Sequence, residues 1–266
     1  MRPTIREELP VGRARRRDAT GDYAPIDAAC GRIEVRVDGT IATVLIDQRP
    51  SSALDLSDPT HLTFGYMQWM DAVVAAAGGL AEGDVALHLG GAGCALPRAW
   101  AARYRGSRQV TAEIDPDMVA AARRWFALPR KPALSLRVQD GAEALAGARE
   151  GACRVVVRDA FAAGAVPGAL LGEGFWSLAR RAVDPATGLV VANCAAGLGP
   201  SRAEVDVAKR HFDSVALVGP GRVLRGEGGG KAGNLVVVAA VGELPEDALR
   251  RRLAKCTDQA ALSVLN

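Results

Sequence analysis

Val85-Ala86-Leu87-His88-Leu89-Gly90-Gly91-Ala92-Gly93-Cys94-Ala95-Leu96 decides the fold. A short apolar run breaks into Gly90, Gly91 and Gly93 and then passes into a helical pattern. Glycine lets a backbone approach a ligand closely, and the first turn of a helix leaves N–H groups without intrahelical partners. A strand–glycine–helix passage therefore builds a cradle for a polar or anionic ligand. Taken alone the signal is weak, because several nucleotide-binding folds share it.

Downstream, the same alternation repeats. Strands are expected at Val85–Leu89, Gln109–Glu113, Leu134–Gln139, Arg154–Asp159, Gly188–Asn193, Val215–Val218 and Asn234–Val241. Helices fill the intervals at Leu96–Tyr104, Asp117–Phe126, Ala142–Ala148, Phe175–Val183 and Ser201–Phe212. Near-continuous apolar strands separated by helices mean a parallel sheet covered on both faces. The expected class is α/β, with a doubly wound, Rossmann-like, mostly parallel seven-stranded sheet and a small N-terminal β-hairpin region. The short link between the last two strands marks them as an antiparallel pair. Ligands in such sheets bind outside the carboxyl ends of the strands.

Upstream, Ile33–Val37 and Ile41–Ile46 alternate with period two around the turn Asp38-Gly39, which predicts the hairpin. A helix follows over about Thr60–Ala77 and stops at Gly78-Gly79. The chain divides into a flexible tail over 1–30, a small β region with a linking helix over 31–80, and a Rossmann-like nucleoside-binding domain over 81–266. The tail carries Arg13, Arg15, Arg16 and Arg17, and Gly226–Gly233 reads as a flexible turn.

Composition narrows the function classes. The chain has 266 residues, 49% hydrophobic and 24% charged, with a formal charge of +3. That is a globular composition, and the charge is too small to imply a nucleic-acid partner. Cys30, Cys94, Cys153, Cys194 and Cys256 form no C-x-x-C pair, so free thiols in a reducing compartment are expected. His61, His88 and His211 lack metal-ligand spacing, so no metal is expected. No apolar run is long enough to span a membrane, and the N-terminus has no apolar signal core. A cytoplasmic protein with small-molecule substrates and no membrane partner is the expectation.

The strand ends carry the chemistry. Glu113 stands about twenty residues past the glycine loop, where a carboxylate accepts from ribose hydroxyls. Asp140-Gly141 closes the third strand, where an acid can accept from an adenine amino group. Asp159 closes the fourth and points into the same crevice. Helix capping is the competing reading for each of these acids. Together with Gly90, Gly91 and Gly93 they fit an S-adenosylmethionine-type fold better than a dinucleotide fold. The loop is not G-x-G-x-x-G, and acids at the third and fourth strand ends have no task in the dinucleotide version.

Glu113-Ile114-Asp115-Pro116, Asp140-Gly141, the Asp159–Pro167 loop and Leu54–Tyr66 resemble the signatures of the spermidine synthase (polyamine aminopropyltransferase) family, over roughly Ile33 to Val241. The resemblance implies a donor, S-adenosylmethionine or its decarboxylated form. It implies that Glu113 holds ribose, that Asp140 and Gly141 meet adenine, and that Pro167 closes over the thioether. Asp159 becomes the proton acceptor, Tyr66 a substrate contact, and a homodimer the assembly.

Departures cluster on the acceptor side. Gly93 and Ala162 replace family aspartates, Met67 replaces a histidine, and Ser51 or a neighbour replaces a glutamine. With two carboxylates gone, the acceptor is expected to differ from putrescine, while Gly93 would leave room for the carboxylate of intact S-adenosylmethionine. Should negative charge come from elsewhere, Asp55, Asp58 and Glu173 are the first candidates. A methyltransferase on the same fold and a catalytically silent nucleoside-binding protein are the alternatives.

Overall fold

A computed structural model describes residues 23–162, 164–194, 197–227 and 233–265. The chain opens with β1 (Ile26–Ala28), β2 (Gly31–Asp38), β3 (Ile41–Ile46) and β4 (Arg49–Asp55), which pair in that order as an antiparallel sheet. Helix α1 (Gly65–Ala76) leads into the larger domain. There follow β5 (Val85–Leu89), α2 (Ala95–Arg103), β6 (Arg108–Glu113), α3 (Pro116–Trp125), β7 (Leu134–Val138), α4 (Gly141–Ala146) and β8 (Val155–Arg158). The remainder is α5 (Gly172–Ala182), β9 (Leu189–Cys194), α6 (Leu198–Ala208), β10 (Ser214–Gly219), α7 (Gly221–Leu224), β11 (Leu235–Ala240), α8 (Glu246–Leu253) and β12 (Ala261–Val264).

The large sheet runs β12-β10-β11-β9-β8-β5-β6-β7. Strands β9, β8, β5, β6 and β7 are parallel, while β11 inserts antiparallel between β9 and β10. The carboxyl ends of β5, β6, β8 and β9 therefore open on one edge beside the ends of β7 and β10. Neighbouring valines of β8 face opposite layers. Val155 and Val157 pack with Trp100, Met118 and Phe126, whereas Val156 packs with Leu145, Phe175 and Trp176. Burial on both faces is why these strands read as continuous apolar runs.

The sheet has eight strands rather than the expected seven. The addition is β12, four residues that pair antiparallel with β10 and complete an edge that local pattern does not mark. The N-terminal region is a four-stranded sheet rather than a hairpin. Its fourth strand contains Pro50, Ser51 and Ser52, residues of low strand propensity. The turn leading into it uses Asp47 and Gln48 at φ 49° and 65°, a left-handed pair without glycine to announce it. Helix α1 starts at Gly65, later than the expected Thr60.

The expected tail also ends earlier than residue 30. Ile26–Ala28 is β1, and Tyr23 stacks near Trp125 and Phe126. Asp115 fastens this region to the domain: its Oδ1 caps α3 through Asp117 N and Met118 N, and its Oδ2 accepts from Cys30 N at 2.7 Å. The arginines at 13 and 15–17 and most of the Gly226–Gly233 tract lie outside the described residues. All five cysteines are free.

Candidate functional site

Gly90 leaves β5 at φ +89°, where a Cβ would stand 2.8 Å from the Ala160 Cα. The exits of β5 and β8 thus touch through backbone, and only glycine permits it. Gly91 is confined by a side chain instead, the Thr111 Cγ2 lying 2.6 Å from a Cβ position. Glu113 holds the loop from the neighbouring strand. Its Oε2 accepts from Gly91 N at 3.0 Å and Ala92 N at 2.9 Å, and its Oε1 from Asp115 N at 3.1 Å. A carboxylate has about four acceptor positions, so one remains for a ligand hydroxyl. Glu113 is a loop brace in its own right, a role that its position in the sequence did not reveal.

Gly93 faces a different surface. A Cβ there would meet Leu54 Cδ1 at 2.8 Å and Ser52 Oγ at 3.0 Å, both buried residues of β4. The absent side chain makes no room for a donor carboxylate in that direction, because the N-terminal sheet already fills it. This corrects the expectation drawn from the resemblance.

Asp140 is the N-cap of α4, with Oδ1 accepting from Ala142 N at 2.8 Å and Glu143 N at 3.0 Å. The capping reading therefore holds for Oδ1, and Oδ2 is the atom left for any base contact. Gly141 lies between Leu89 and Leu170, each with an atom 3.4 Å from a Cβ position. Ile114, just past β6, and Val138, the last residue of β7, are apolar yet 64% and 56% exposed, a feature overlooked in the sequence. Pro167 is the N-cap of a 3-10 turn, Gly168–Leu170, whose Leu170 reaches Gly141.

Asp159 is the centre of the arrangement. Tyr66 of α1 donates its hydroxyl to Oδ2 at 3.0 Å, and Asn193 of β9 donates Nδ2 to Oδ1 at 2.9 Å. Burial pushes the Asp159 carboxyl up to about 6, against the opposing pull of those two donors. Such a group takes up and releases protons near neutral pH, as a general base must. Asn193 is 2% exposed and its Oδ1 has no hydrogen-bond partner. Nothing in the Leu189–Cys194 run had marked it.

Beneath Asp159 lies a fully buried cation. Arg158 donates through Nη1 to Leu170 O and Glu204 Oε2, both at 2.8 Å, and its guanidinium sits 4.7 Å from the Phe175 ring centroid. Glu204 also accepts from Gly172 N and Trp176 Nε1. This network fixes the return of the Asp159–Pro167 loop onto the sheet. The one available signal was a charge inside the run Val155-Val156-Val157-Arg158.

The proposed sources of extra negative charge are engaged elsewhere. Asp55 Oδ1 accepts from Ser57 and Asp58, and Asp58 from Thr60, closing surface turns. Glu173 pairs with Arg210 and His211. Ala162 is exposed and shares reciprocal backbone bonds with Ala165, while Met67 is buried. Ser51 donates its hydroxyl to Arg49 O at 3.3 Å, and the neighbouring Ser52 Oγ lies 3.0 Å from the Cβ position of Gly93. Among the described residues, no group of three or more His, Cys, Asp or Glu could hold a metal ion, and no helix is long and apolar enough to cross a membrane.

No family model and no curated protein matches the chain. Solved structures do. A probable spermidine synthase from Corynebacterium glutamicum is 25% identical, with a TM-score of 0.81 over 91% of this chain and 90% of that one. A spermidine synthase in complex with the transition state analogue AdoDATO is 13% identical, with a TM-score of 0.63 over 91% and 81%. Human methyltransferase-like protein 13 in complex with SAH is 19% identical, with a TM-score of 0.51 over 72% and 90%. The chain has a spermidine synthase-like fold of the class I S-adenosylmethionine type.

Proposed function

We propose that the protein is a transferase that takes an alkyl group from S-adenosylmethionine or its decarboxylated form and passes it to an amine other than putrescine. The observation that carries this reading is Asp159, held between Tyr66 and Asn193 on the strand edge that also bears Glu113 and Asp140. The donor supplies a carbon activated by a neighbouring sulfonium. Glu113 binds the ribose through its remaining acceptor position, Asp140 Oδ2 and Gly141 meet the base, and Ile114, Val138 and Pro167 enclose it. Asp159 takes the proton from the incoming ammonium. The nitrogen lone pair then forms the new C–N bond, the C–S bond breaks, and its electrons stay on the neutral thioether.

Product analysis with both donors tests this. Methylthioadenosine marks aminopropyl transfer. S-adenosylhomocysteine marks the second reading, methyl transfer, which the likeness to a SAH-bound methyltransferase-like protein favours. Neither product, with methylthioadenosine nonetheless bound, marks a silent nucleoside-binding protein and sinks the transferase. A homodimer belongs to the same reading, and light scattering that finds only monomer removes it.

A further inference from the structure

A cavity of about 460 Å³ opens beside Tyr66, lined in part by Trp69, Asn234, Asp258 and Gln259. It lies at the ends of β10 and β11, across β9, β8 and β5 from Glu113 and Asp140. Among the described lining residues Asp258 brings the one carboxylate, and none is Lys, Arg or His. The segment is held in place. Trp69 Nε1 donates to Asp258 O at 2.7 Å, and Thr257 N donates to Gln68 Oε1 at 2.9 Å. A Cβ at Gly65 would lie 2.6 Å from the Asp258 Cβ, so the aspartate packs where only glycine leaves space.

We propose that this cavity receives the cationic far end of the acceptor, an amine longer than a four-carbon diamine, with Asp258 as its recognition carboxylate. The proposal rests on the reading of Asp159 as the base. Tyr66 bridges the two acids: its hydroxyl meets Asp159, while its backbone adjoins Gly65 and Asp258. An acceptor that touches both must run the length of that side chain, roughly 7–10 Å between its nitrogens. An extended four-carbon diamine spans only about 6 Å. The Tyr66 ring and Trp69 indole offer methylenes an apolar wall and a cation an aromatic face.

Calorimetry with 1,6-diaminohexane, n-hexylamine and 1,4-diaminobutane tests it, on nucleoside-free and on methylthioadenosine-saturated protein. The six-carbon diamine should bind about tenfold or more tighter than either other amine. Asp258→Asn should erase its advantage over n-hexylamine, Asp258→Glu should restore part of it, and methylthioadenosine affinity should stay unchanged. Equal binding of diaminohexane and hexylamine in the unmodified protein overturns the proposal. So does an undiminished preference in Asp258→Asn, even with a lower melting temperature, because that pattern makes Asp258 a packing residue against Gly65 alone. If methylthioadenosine fails to bind while Asp258-dependent diamine binding persists, the donor reading falls and the cavity stands.

Discussion

Tyr66 and Asp159, 93 residues apart, meet through a hydrogen bond of 3.0 Å that joins the first turn of α1 to the end of β8. The phenol donates, so the bond favours the ionised carboxylate. Asn193 acts in the same sense on the other oxygen. Tyr66→Phe or Asn193→Ala should therefore raise the Asp159 pKa above its present value of about 6. A lost bond to a charged group is worth about 1.5–3 kcal/mol, or about 1–2 pKa units. Carboxyl-carbon NMR, assigned with Asp159→Asn, reads the midpoint directly. An unmoved midpoint in both variants contradicts the geometry.

Two buried groups set opposite pH slopes on stability. Asp159 titrates near 6 when folded against 3.8 ordinarily, so between those values the native state holds the extra proton and stability falls as pH rises. His88 is pushed down from 6.5 to about 4 by burial, despite its bond to Gln109. Between those values the unfolded state holds the proton, and stability rises with pH. Each effect amounts to about 3 kcal/mol, so they nearly cancel from pH 4 to 6. Asp159→Asn should unmask the histidine, giving a protein that loses stability on acidification from 6.5 toward 4. Urea unfolding at stepped pH should show this new slope; a profile parallel to the unmodified protein's counts against it.

Gly93→Asp should destabilise rather than restore an acidic site. Its Cβ would press on Leu54 and Ser52 in a closed interface, an overpacking worth about 1–3 kcal/mol. Ala162→Asp, on an exposed loop, should melt within about 1 °C of the parent. Thermal melts separate the two, and a Gly93→Asp protein as stable as the parent contradicts the packing.

Breaking the Arg158–Glu204 pair should be among the costliest single changes. Arg158→Met leaves Glu204 without its cation, and Glu204→Gln leaves a fully buried guanidinium uncompensated. Losses of about 3–5 kcal/mol are expected from either. The double variant Arg158→Met/Glu204→Gln should lose clearly less than the sum, since no charge stays stranded. A double-mutant cycle in urea checks the sign of the coupling.

Glu113→Ala should weaken methylthioadenosine binding by about 1–3 kcal/mol and also lower the melting temperature, because Gly91, Ala92 and Asp115 lose their acceptor. Glu113→Gln keeps one acceptor oxygen and should fall between. Calorimetry and melting on the same samples test the double role. An affinity loss without any loss of stability would show that the brace is dispensable.

The sequence by itself determined the parallel core of the sheet, because strand and helix periods are local and apolar burial on both faces writes continuous valine runs such as Val155-Val156-Val157. It also placed Glu113, Asp140 and Asp159 at successive strand ends, since a strand's exit is marked by the glycine or acid that follows it. Strands β4 and β12 escaped, because Pro50, Ser51 and Ser52 are weak strand formers and Ala261–Val264 is too short to show a period; both form because a neighbouring strand offers hydrogen bonds. Only the tertiary structure decided which atoms of the acids are occupied at home, with Glu113 bound to its loop and Asp140 Oδ1 to its helix. Only it brought Asn193 to Asp159, 34 residues away, and Asp258 to Trp69, 189 residues away. Contacts at such separations follow from the order in which strands stack, and local sequence patterns carry no information about that order.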